Sequence, residues 1–324
     1  MRELPQLLLA RDRIRHGLTA KDLARRARFG SLVRIRQGVY LDGPTWREMK
    51  PWEQYRMRIQ AAAETCQSTT VFARHSAATV WVAPIIGHHH PVEALALKND
   101  GGRSRSGIRR YYAGPSEVQA VRREGLLVTP RIRTVLDLAA FTPFAEAVVP
   151  LDHVLKPDKH LRLPSLEREE LLAGLDSRYS MAAQERILAA LDFADPLSGS
   201  AGESYSRALM HAAGFEAPIL QQAFYDADGL IGYSDFYWKE ARVVGEFDGE
   251  AKYLNPEFLN GRTTQQALLD EKRRENRIRA LGLNVVRWEW SEVMKPGRLE
   301  RMLAAGGVCR RRTRSSGFDA QKSA

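Results

Sequence analysis

The chain has 324 residues and a formal net charge of +10, with 44% hydrophobic and 27% charged residues. This balance is typical of a globular protein with buried cores and excludes a largely disordered chain, while the length predicts two or three domains. The longest apolar stretch, residues 80–87, is too short to cross a bilayer, and no apolar signal segment follows the N-terminus. We therefore expect a cytoplasmic protein without a membrane-spanning helix. Cys66 and Cys309 lack the spacing of a zinc site or a disulfide framework, which predicts reduced thiols.

Positive charge is concentrated near the two ends of the sequence. Residues 1–50 carry a formal charge of +7 and residues 295–324 carry +6, which leaves −3 for the remainder. Basic proteins favour polyanionic partners, because association with a phosphate backbone releases condensed counterions. The pattern indicates DNA as a partner; an arginine excess that serves only solubility is the alternative.

The first 50 residues predict a winged helix-turn-helix. The pattern indicates a helix over 4–16, a second helix over 20–29 that Thr19 caps, and a hairpin over 32–41 that turns at Gln37-Gly38. Such a module places its second helix in the major groove and lays the wing along the phosphates. The alternative is a charged outer face that is merely solvated. The side chains expected to contact DNA are Lys21, Arg25, Arg26, Arg28, Arg34 and Arg36.

Four sequence blocks carry a family resemblance through the first half of the chain. They are GLTAKDLARRARFGSLVRIRQGVYLD (17–42), ARHSAATVWVAP (73–84), VTPRIRTVLDLAA (128–140) and VVPLDHVL (148–155). In their order and spacing they resemble the AbiEi family of antitoxins, whose N-terminal domain is a winged helix. The resemblance implies DNA binding, autoregulation and a cognate toxin as a protein partner.

The middle of the chain, residues 51–160, predicts an α+β domain. Strands are expected over 92–97 and 108–112, separated by a basic loop over 98–107. His88, His89 and His90 suggest zinc, but three consecutive side chains cannot face one ion without strain, which favours a structural or exposed role. Arg133 and Asp137 are spaced for an ion pair within one helix, with a latch between domains as the alternative.

Residues 161–200 predict a helical connector that ends in a linker. The segment is charged and contains SLEREELLAGLD, a helical pattern, while DFADPLSGSAG (192–202) has the proline, glycine and serine content of a domain boundary.

Residues 201–305 predict a third domain that gathers carboxylates. Glu203 opens an amphipathic helix, Asp235 lies in a strand over 230–238, and Glu246 and Asp248 share one face of a returning strand over 242–248. A basic helix and a strand over 284–290 follow. Carboxylates that converge are the ligands Mg²⁺ prefers, and they would repel one another unless a cation or an arginine lay between them.

Two further blocks carry a second resemblance, over about a hundred residues. SDFYWKEARVVGEFDGEAKY (234–253) and KRRENRIRALGLNVVRWEWSEV (272–293) resemble the PD-(D/E)xK nuclease superfamily, in particular its Vsr-like branch. The resemblance implies a Mg²⁺ or Mn²⁺ cofactor and assigns the helix carboxylate, strand aspartate and acidic motif to Glu203, Asp235 and Glu246. The usual lysine is replaced by Asp248, which is then a ligand or a water-positioning group, and Lys252 could reach back as the charge stabiliser. Arg273, Arg274 and Arg277 hold substrate phosphates or form a solvated helix face.

These observations predict an α/β fold class, mixed α+β overall. The segments are a winged helix-turn-helix (1–50), a middle α+β domain (51–160), a helical connector (161–200), a restriction-endonuclease-like three-layer α/β/α domain (201–305) and a basic disordered tail (306–324). The expected function is DNA binding with Mg²⁺-dependent hydrolysis of DNA phosphodiester bonds. Asp235, Glu246 and Asp248 are expected to hold the metal, and Glu203 to support these ligands without contacting the metal itself. The alternative is a noncatalytic AbiEi-type antitoxin and autoregulator whose nuclease fold is only a binding platform.

Overall fold

A computed structural model describes residues 4–15, 17–66, 69–96, 107–114, 118–249 and 263–311. These residues form 13 helices and three β-sheets, which confirms the mixed α and β class. The chain divides into two compact units, Met1–Ala194 and Asp195–Ala324, and the division falls within residues 192–202. Among the described residues, no helix combines the length and the apolar composition that a bilayer crossing requires.

Unit 1 begins with a small sheet that packs on two helices. The elements are β1 (Leu8–Leu9), α1 (Ala10–Arg15), α2 (Ala20–Arg28), β2 (Leu32–Arg36) and β3 (Val39–Asp42), and the strand order is β1-β3-β2. Leu23, Leu32 and Tyr40 form the core. The first helix is shorter than predicted, because Leu8 and Leu9 pair with Tyr40 and Val39 and so extend the sheet instead.

A five-stranded sheet follows after α3 (Gly43–Glu48) and α4 (Pro51–Ala63). The strand order is β6-β5-β4-β8-β7, and α5 (Arg74–Trp81) packs with α4 on one face through Tyr55, Phe72 and Val80. The strands are β4 (Val71–Phe72), β5 (Val92–Ala96), β6 (Ile108–Tyr112), β7 (Val121–Arg123) and β8 (Leu126–Val128). Of the predicted loop over 98–107, all but Gly107 lies outside the described residues.

Four helices complete unit 1: α6 (Arg131–Phe141), α7 (Phe144–Val154), α8 (Arg168–Ala173) and α9 (Met181–Phe193). Leu171 and Ile187 are fully buried against Leu136 and Leu151, so residues 168–193 belong to the core of the unit and do not form a simple connector. The predicted pair within α6 is confirmed, since Arg133 Nε donates to Asp137 Oδ2 at 3.4 Å.

Unit 2 is a four-stranded sheet with helices on both faces. Its elements are α10 (Ala201–Ala212), β9 (Ile219–Asp226), β10 (Gly229–Trp238), β11 (Val243–Asp248), α11 (Thr264–Ala280), β12 (Asn284–Glu289), α12 (Trp290–Val293) and α13 (Arg298–Gly306). The order is β12-β11-β10-β9, with β11 and β12 parallel. Phe247 and Trp288 pack with α10 and α13 on one face, while Val244 and Val285 pack with Ile278 of α11 on the other.

Unit 2 differs from expectation in three places. The edge strand β9 was not predicted, and the strand after α11 ends at Glu289, one residue before its predicted end. The start of the tail predicted to be disordered is packed: Val308 is buried, and Arg310 forms a β-bridge with Phe215.

Candidate functional site

Parallel pairing of β11 with β12 builds a charged cluster on one face of the sheet in unit 2. The register places Arg287 beside Glu246 and Glu289 beside Asp248. Glu246 and Asp248 share this face with the buried Val244, because side chains alternate along a strand. On α11, Arg274 and Glu275 lie about one turn and Glu271 about two turns before the buried Ile278, so helical periodicity turns all three toward the same face. The cluster comprises Glu246, Asp248, Glu271, Arg274, Glu275 and Arg287.

Arg287 is the centre of this charged cluster. Its Nε and one terminal nitrogen donate to the two oxygens of Asp248, both at 2.7 Å. The other terminal nitrogen donates to Glu271 at 2.7 Å and to Glu275 at 3.2 Å, and lies 3.6 Å from Glu246. A bidentate guanidinium–carboxylate pair is the strongest geometry for such contacts. Asp248 is therefore fixed in a two-point contact with Arg287.

Arg274 links the helix to the strand. It donates to Glu246 Oε2 at 2.5 Å and to both oxygens of Glu271, at 2.9 and 2.7 Å. Burial alone would raise the pKa of Glu271, but hydrogen bonds from Arg274 and Arg287 lower that pKa to about 2. Glu271 therefore stays ionised throughout the physiological range.

Glu246 differs from the other acids in the charged cluster. It is 5% exposed, and its Oε1 atom has no hydrogen-bond partner among the described residues. Burial raises the pKa of Glu246, and the attraction of Arg274 only partly opposes this. Four acids and two arginines give the charged cluster a formal charge of −2, so a buried oxygen without a partner lies in a net acidic environment. Such an atom can accept a hydrogen bond or bind a cation.

Asp235 occupies a different position from the one expected for a metal ligand. Backbone pairing between β10 and β11 ends at Phe236 and Gly245, and beyond it Asp235 Oδ2 accepts from the backbone N–H of Phe247 at 2.8 Å. The Asp235 carboxylate thus replaces a backbone carbonyl as the acceptor for the N–H of Phe247, the residue that follows Glu246.

Glu203 lies in another layer of unit 2. Its Oε2 accepts from the backbone N–H of Gly199 at 2.7 Å and from Gln221 Nε2 at 3.3 Å. Its helix, α10, packs against the opposite sheet face, where an added Cβ at Gly202 would lie 2.0 Å from Phe247. Glu203 thus bonds both to the segment before α10 and to Gln221 of β9, and its support of the strand acids stays a prediction.

Three further residues were predicted for this site. Lys252 lies outside the described residues. Arg277 pairs with Asp226 of β9 at 2.7 and 2.6 Å, and Arg273 is exposed beside Asp270. The predicted trio of Asp235, Glu246 and Asp248 is not assembled as a cation-binding group, and no group of three or more His, Cys, Asp or Glu side chains in the described part of the chain is placed to hold a metal ion.

Arg287 was not predicted as a site residue, and Arg274 was predicted only to hold phosphates or to lie on a solvated helix face. Arg287 could have been found from the parallel register of the two buried strands, and Arg274 from its four-residue spacing to the apolar Ile278.

A second charged surface lies in unit 1, on α2 and β2. Thr19 caps α2 through a reciprocal capping box with Asp22, as predicted. Lys21, Arg26, Arg28 and Arg34 are exposed and make no ion pair with any described residue, whereas Arg25 pairs with Asp22 at 3.2 Å. Arg36 is half-buried, unlike these five side chains. We call Lys21, Arg25, Arg26, Arg28 and Arg34 the basic surface.

Comparison with known proteins identifies distant relatives. No protein-family model matches the chain. Two uncharacterized proteins of Mycobacterium tuberculosis, from strains CDC 1551 and H37Rv, are each 27% identical over 214 residues, covering 65% of this chain and 73% of the relative. A crystal structure of another Mycobacterium tuberculosis protein aligns with 15% identity and a TM-score of 0.36, covering 68% of this chain and 84% of that one.

Proposed function

We propose that this protein binds duplex DNA in the cytoplasm through the basic surface on α2 and β2. The observation that carries the proposal is the exposure of four cationic side chains that no described acid neutralises, on one helix and the hairpin beside it. A helix that carries unpaired Lys and Arg side chains can enter a major groove, where these side chains contact phosphates and the edges of guanine bases. The AbiEi resemblance supports the same role and adds a cognate toxin as a proposed partner.

Fluorescence anisotropy with a labelled duplex tests DNA binding. A variant carrying Lys21→Ala, Arg26→Ala and Arg28→Ala should lose most of its affinity, since each removed phosphate contact weakens binding. The matched control is Arg122→Ala combined with Arg310→Ala and Arg311→Ala, which removes the same charge outside the basic surface. Equal losses in both triple variants would reduce the effect to net charge and contradict the proposal.

A second proposed activity is Mg²⁺- or Mn²⁺-dependent hydrolysis of DNA at the charged cluster. It is favoured by the buried Glu246 Oε1 without a partner and by the excess of acids around it. Glu246 offers one oxygen that fits a divalent cation, whereas Asp248 becomes a ligand only when Arg287 moves off it. When bound, the metal would activate water and polarise the phosphate. Arg274 and Arg287 would then be available to hold the substrate phosphates.

Plasmid nicking distinguishes this activity from a noncatalytic antitoxin and autoregulator. The wild type is incubated with plasmid and Mg²⁺ or Mn²⁺, beside Glu246→Gln and Asp235→Ala. Nicking that requires the metal and disappears in Glu246→Gln supports the nuclease. Absence of nicking under both metals, in protein that still binds DNA, supports the noncatalytic alternative.

A further inference from the structure

Arg74 is held against two aromatic rings in unit 1. It is the first residue of α5 and has a φ of 49°, in the left-handed region. Its guanidinium carbon lies 3.3 Å from the ring centre of Tyr111 on β6 and 4.1 Å from that of Phe141 on α6. Stacking on aromatic rings covers the flat surface of a guanidinium and leaves the N–H donors at its edge exposed to a ligand.

Arg74 forms no salt bridge with a described residue, because the nearby acids are engaged by other donors, although its charge opposes the burial that raises the pKa of Asp137. Glu93, which is 2% exposed, accepts from the His75 backbone N–H at 3.0 Å, from His75 Nδ1 at 2.8 Å and from the Tyr111 hydroxyl at 2.6 Å. Asp137 accepts from Arg133 at 3.4 Å and from the Tyr179 hydroxyl at 2.8 Å. Arg74 therefore presents a half-buried cation whose donors no described acceptor satisfies.

A second arginine approaches the same tyrosine. Arg109 is exposed on β6 two residues before Tyr111, so both side chains leave the same face of the strand. Tyr111 thus carries one guanidinium on its ring and has a second on its own strand face, while Glu93, the acid among the described residues that its hydroxyl contacts, is buried. Two guanidinium groups at one side chain create a local excess of positive charge at the edge strand of the five-stranded sheet.

We propose that Arg74 and Arg109 form an oxyanion site that binds a phosphate group, either as a free anion or as a phosphate of nucleic acid. Guanidinium donors pair with phosphate oxygens in a bidentate manner, and the aromatic packing holds Arg74 in place before the ligand arrives, which lowers the entropic cost of binding. The site is separate from the basic surface and from the charged cluster in unit 2, so it does not depend on the proposed function.

Titration of the full chain with inorganic phosphate at constant ionic strength tests the site, followed by the NMR signals of the arginine side-chain N–H groups. Arg74→Met keeps the aliphatic stem but removes the guanidinium, and should weaken phosphate binding by about tenfold or more. Arg123→Met is the matched control, because Arg123 also lies over an aromatic ring, 4.7 Å from Trp81, but donates to the Val80 carbonyl at 3.1 Å. This control should bind phosphate like the wild type.

A titration with duplex DNA in the Lys21, Arg26 and Arg28 triple-alanine background separates the two sources of phosphate. Residual DNA binding that Arg74→Met removes identifies nucleic acid as the source, and saturable binding of free phosphate alone identifies a small anion. Unchanged binding of both probes in folded Arg74→Met overturns the proposal. If that variant does not fold, Arg109→Met on the exposed strand decides: weaker phosphate binding supports the site, and wild-type binding contradicts it.

Discussion

Arg287 on β12 reaches diagonally across the parallel pair to Asp248 on β11 and forms a bidentate ion pair with it, with both contacts at 2.7 Å. Asp248 stands at the position where the nuclease resemblance predicted a lysine. Because both side chains are only about one-fifth exposed, removing either one would leave the other as a partly buried charge without its partner.

Replacing Arg287 with Met should destabilise unit 2 by about 2–4 kcal/mol, because it leaves Asp248, Glu246 and Glu271 as partly buried acids without their shared cation. The free energy of unfolding in urea, followed by tryptophan fluorescence, measures this loss. The double variant Arg287→Met with Asp248→Asn should recover part of it. A double variant whose loss equals the sum of the two single losses would show that the pair is not coupled.

The stability of the protein should fall in acid partly through Glu271. Its pKa is about 2 in the folded protein, below the ordinary value of 4.5, so ionised Glu271 stabilises the fold above the ordinary value. That contribution is lost as the pH falls from about 5 to about 2, as Glu271 is protonated. Unfolding free energies measured over this range should decline more steeply for the wild type than for Glu271→Gln. Parallel pH profiles of the two proteins would refute the assignment.

Glu246 should affect the pH dependence of stability in the opposite direction to Glu271. Burial raises its pKa, so its protonated form is favoured in the folded protein and the folded state loses stability as the pH rises through that pKa. The change in unfolding free energy caused by Glu246→Gln should therefore be more favourable at neutral pH than at acidic pH.

If a divalent cation binds at Glu246, the thermal midpoint of the wild type should rise with Mg²⁺ or Mn²⁺, while that of Glu246→Gln stays constant.

Close packing at Gly202 supports the strand that carries Glu246. An added Cβ at Gly202 would lie 2.0 Å from the Phe247 ring, so Gly202→Ala should cost about 1–3 kcal/mol despite the better helix propensity of alanine. Gly249→Ala is the control, since its Cβ would meet Phe247 at an ordinary 3.7 Å. Urea unfolding of the two variants provides the comparison, and equal stabilities would contradict the packing argument.

DNA affinity should depend on salt in proportion to the phosphates that the basic surface contacts. Each lost contact reduces the slope of log affinity against log salt by about 0.9. Arg28→Ala should show this smaller slope, whereas Arg122→Ala, which removes an exposed charge elsewhere in unit 1, should keep the wild-type slope. A slope that is the same in all three proteins would exclude Arg28 from the interface.

The local pattern of the sequence determined much of the secondary structure. The capping box at Thr19, the turn at Gln37-Gly38 and the strand that carries Glu246 all depend on neighbours within a few residues, so each could be predicted from spacing alone. Glu246 and Asp248 share one sheet face for the same reason, since side chains alternate along any strand.

Only the tertiary structure decided which partners these side chains meet. Leu8 and Leu9 form a strand because they pair with the edge of the sheet at Tyr40 and Val39. The local sequence pattern predicts a helix there, since it contains no information on this distant pairing. Glu203 lies on α10, a helix that packs on the sheet face opposite Asp248. Arg287 reaches Asp248 across 39 positions of sequence, through a parallel register that a crossover helix sets. Periodicity fixes the face on which a side chain lies, but the charge opposite it depends on how distant elements pack.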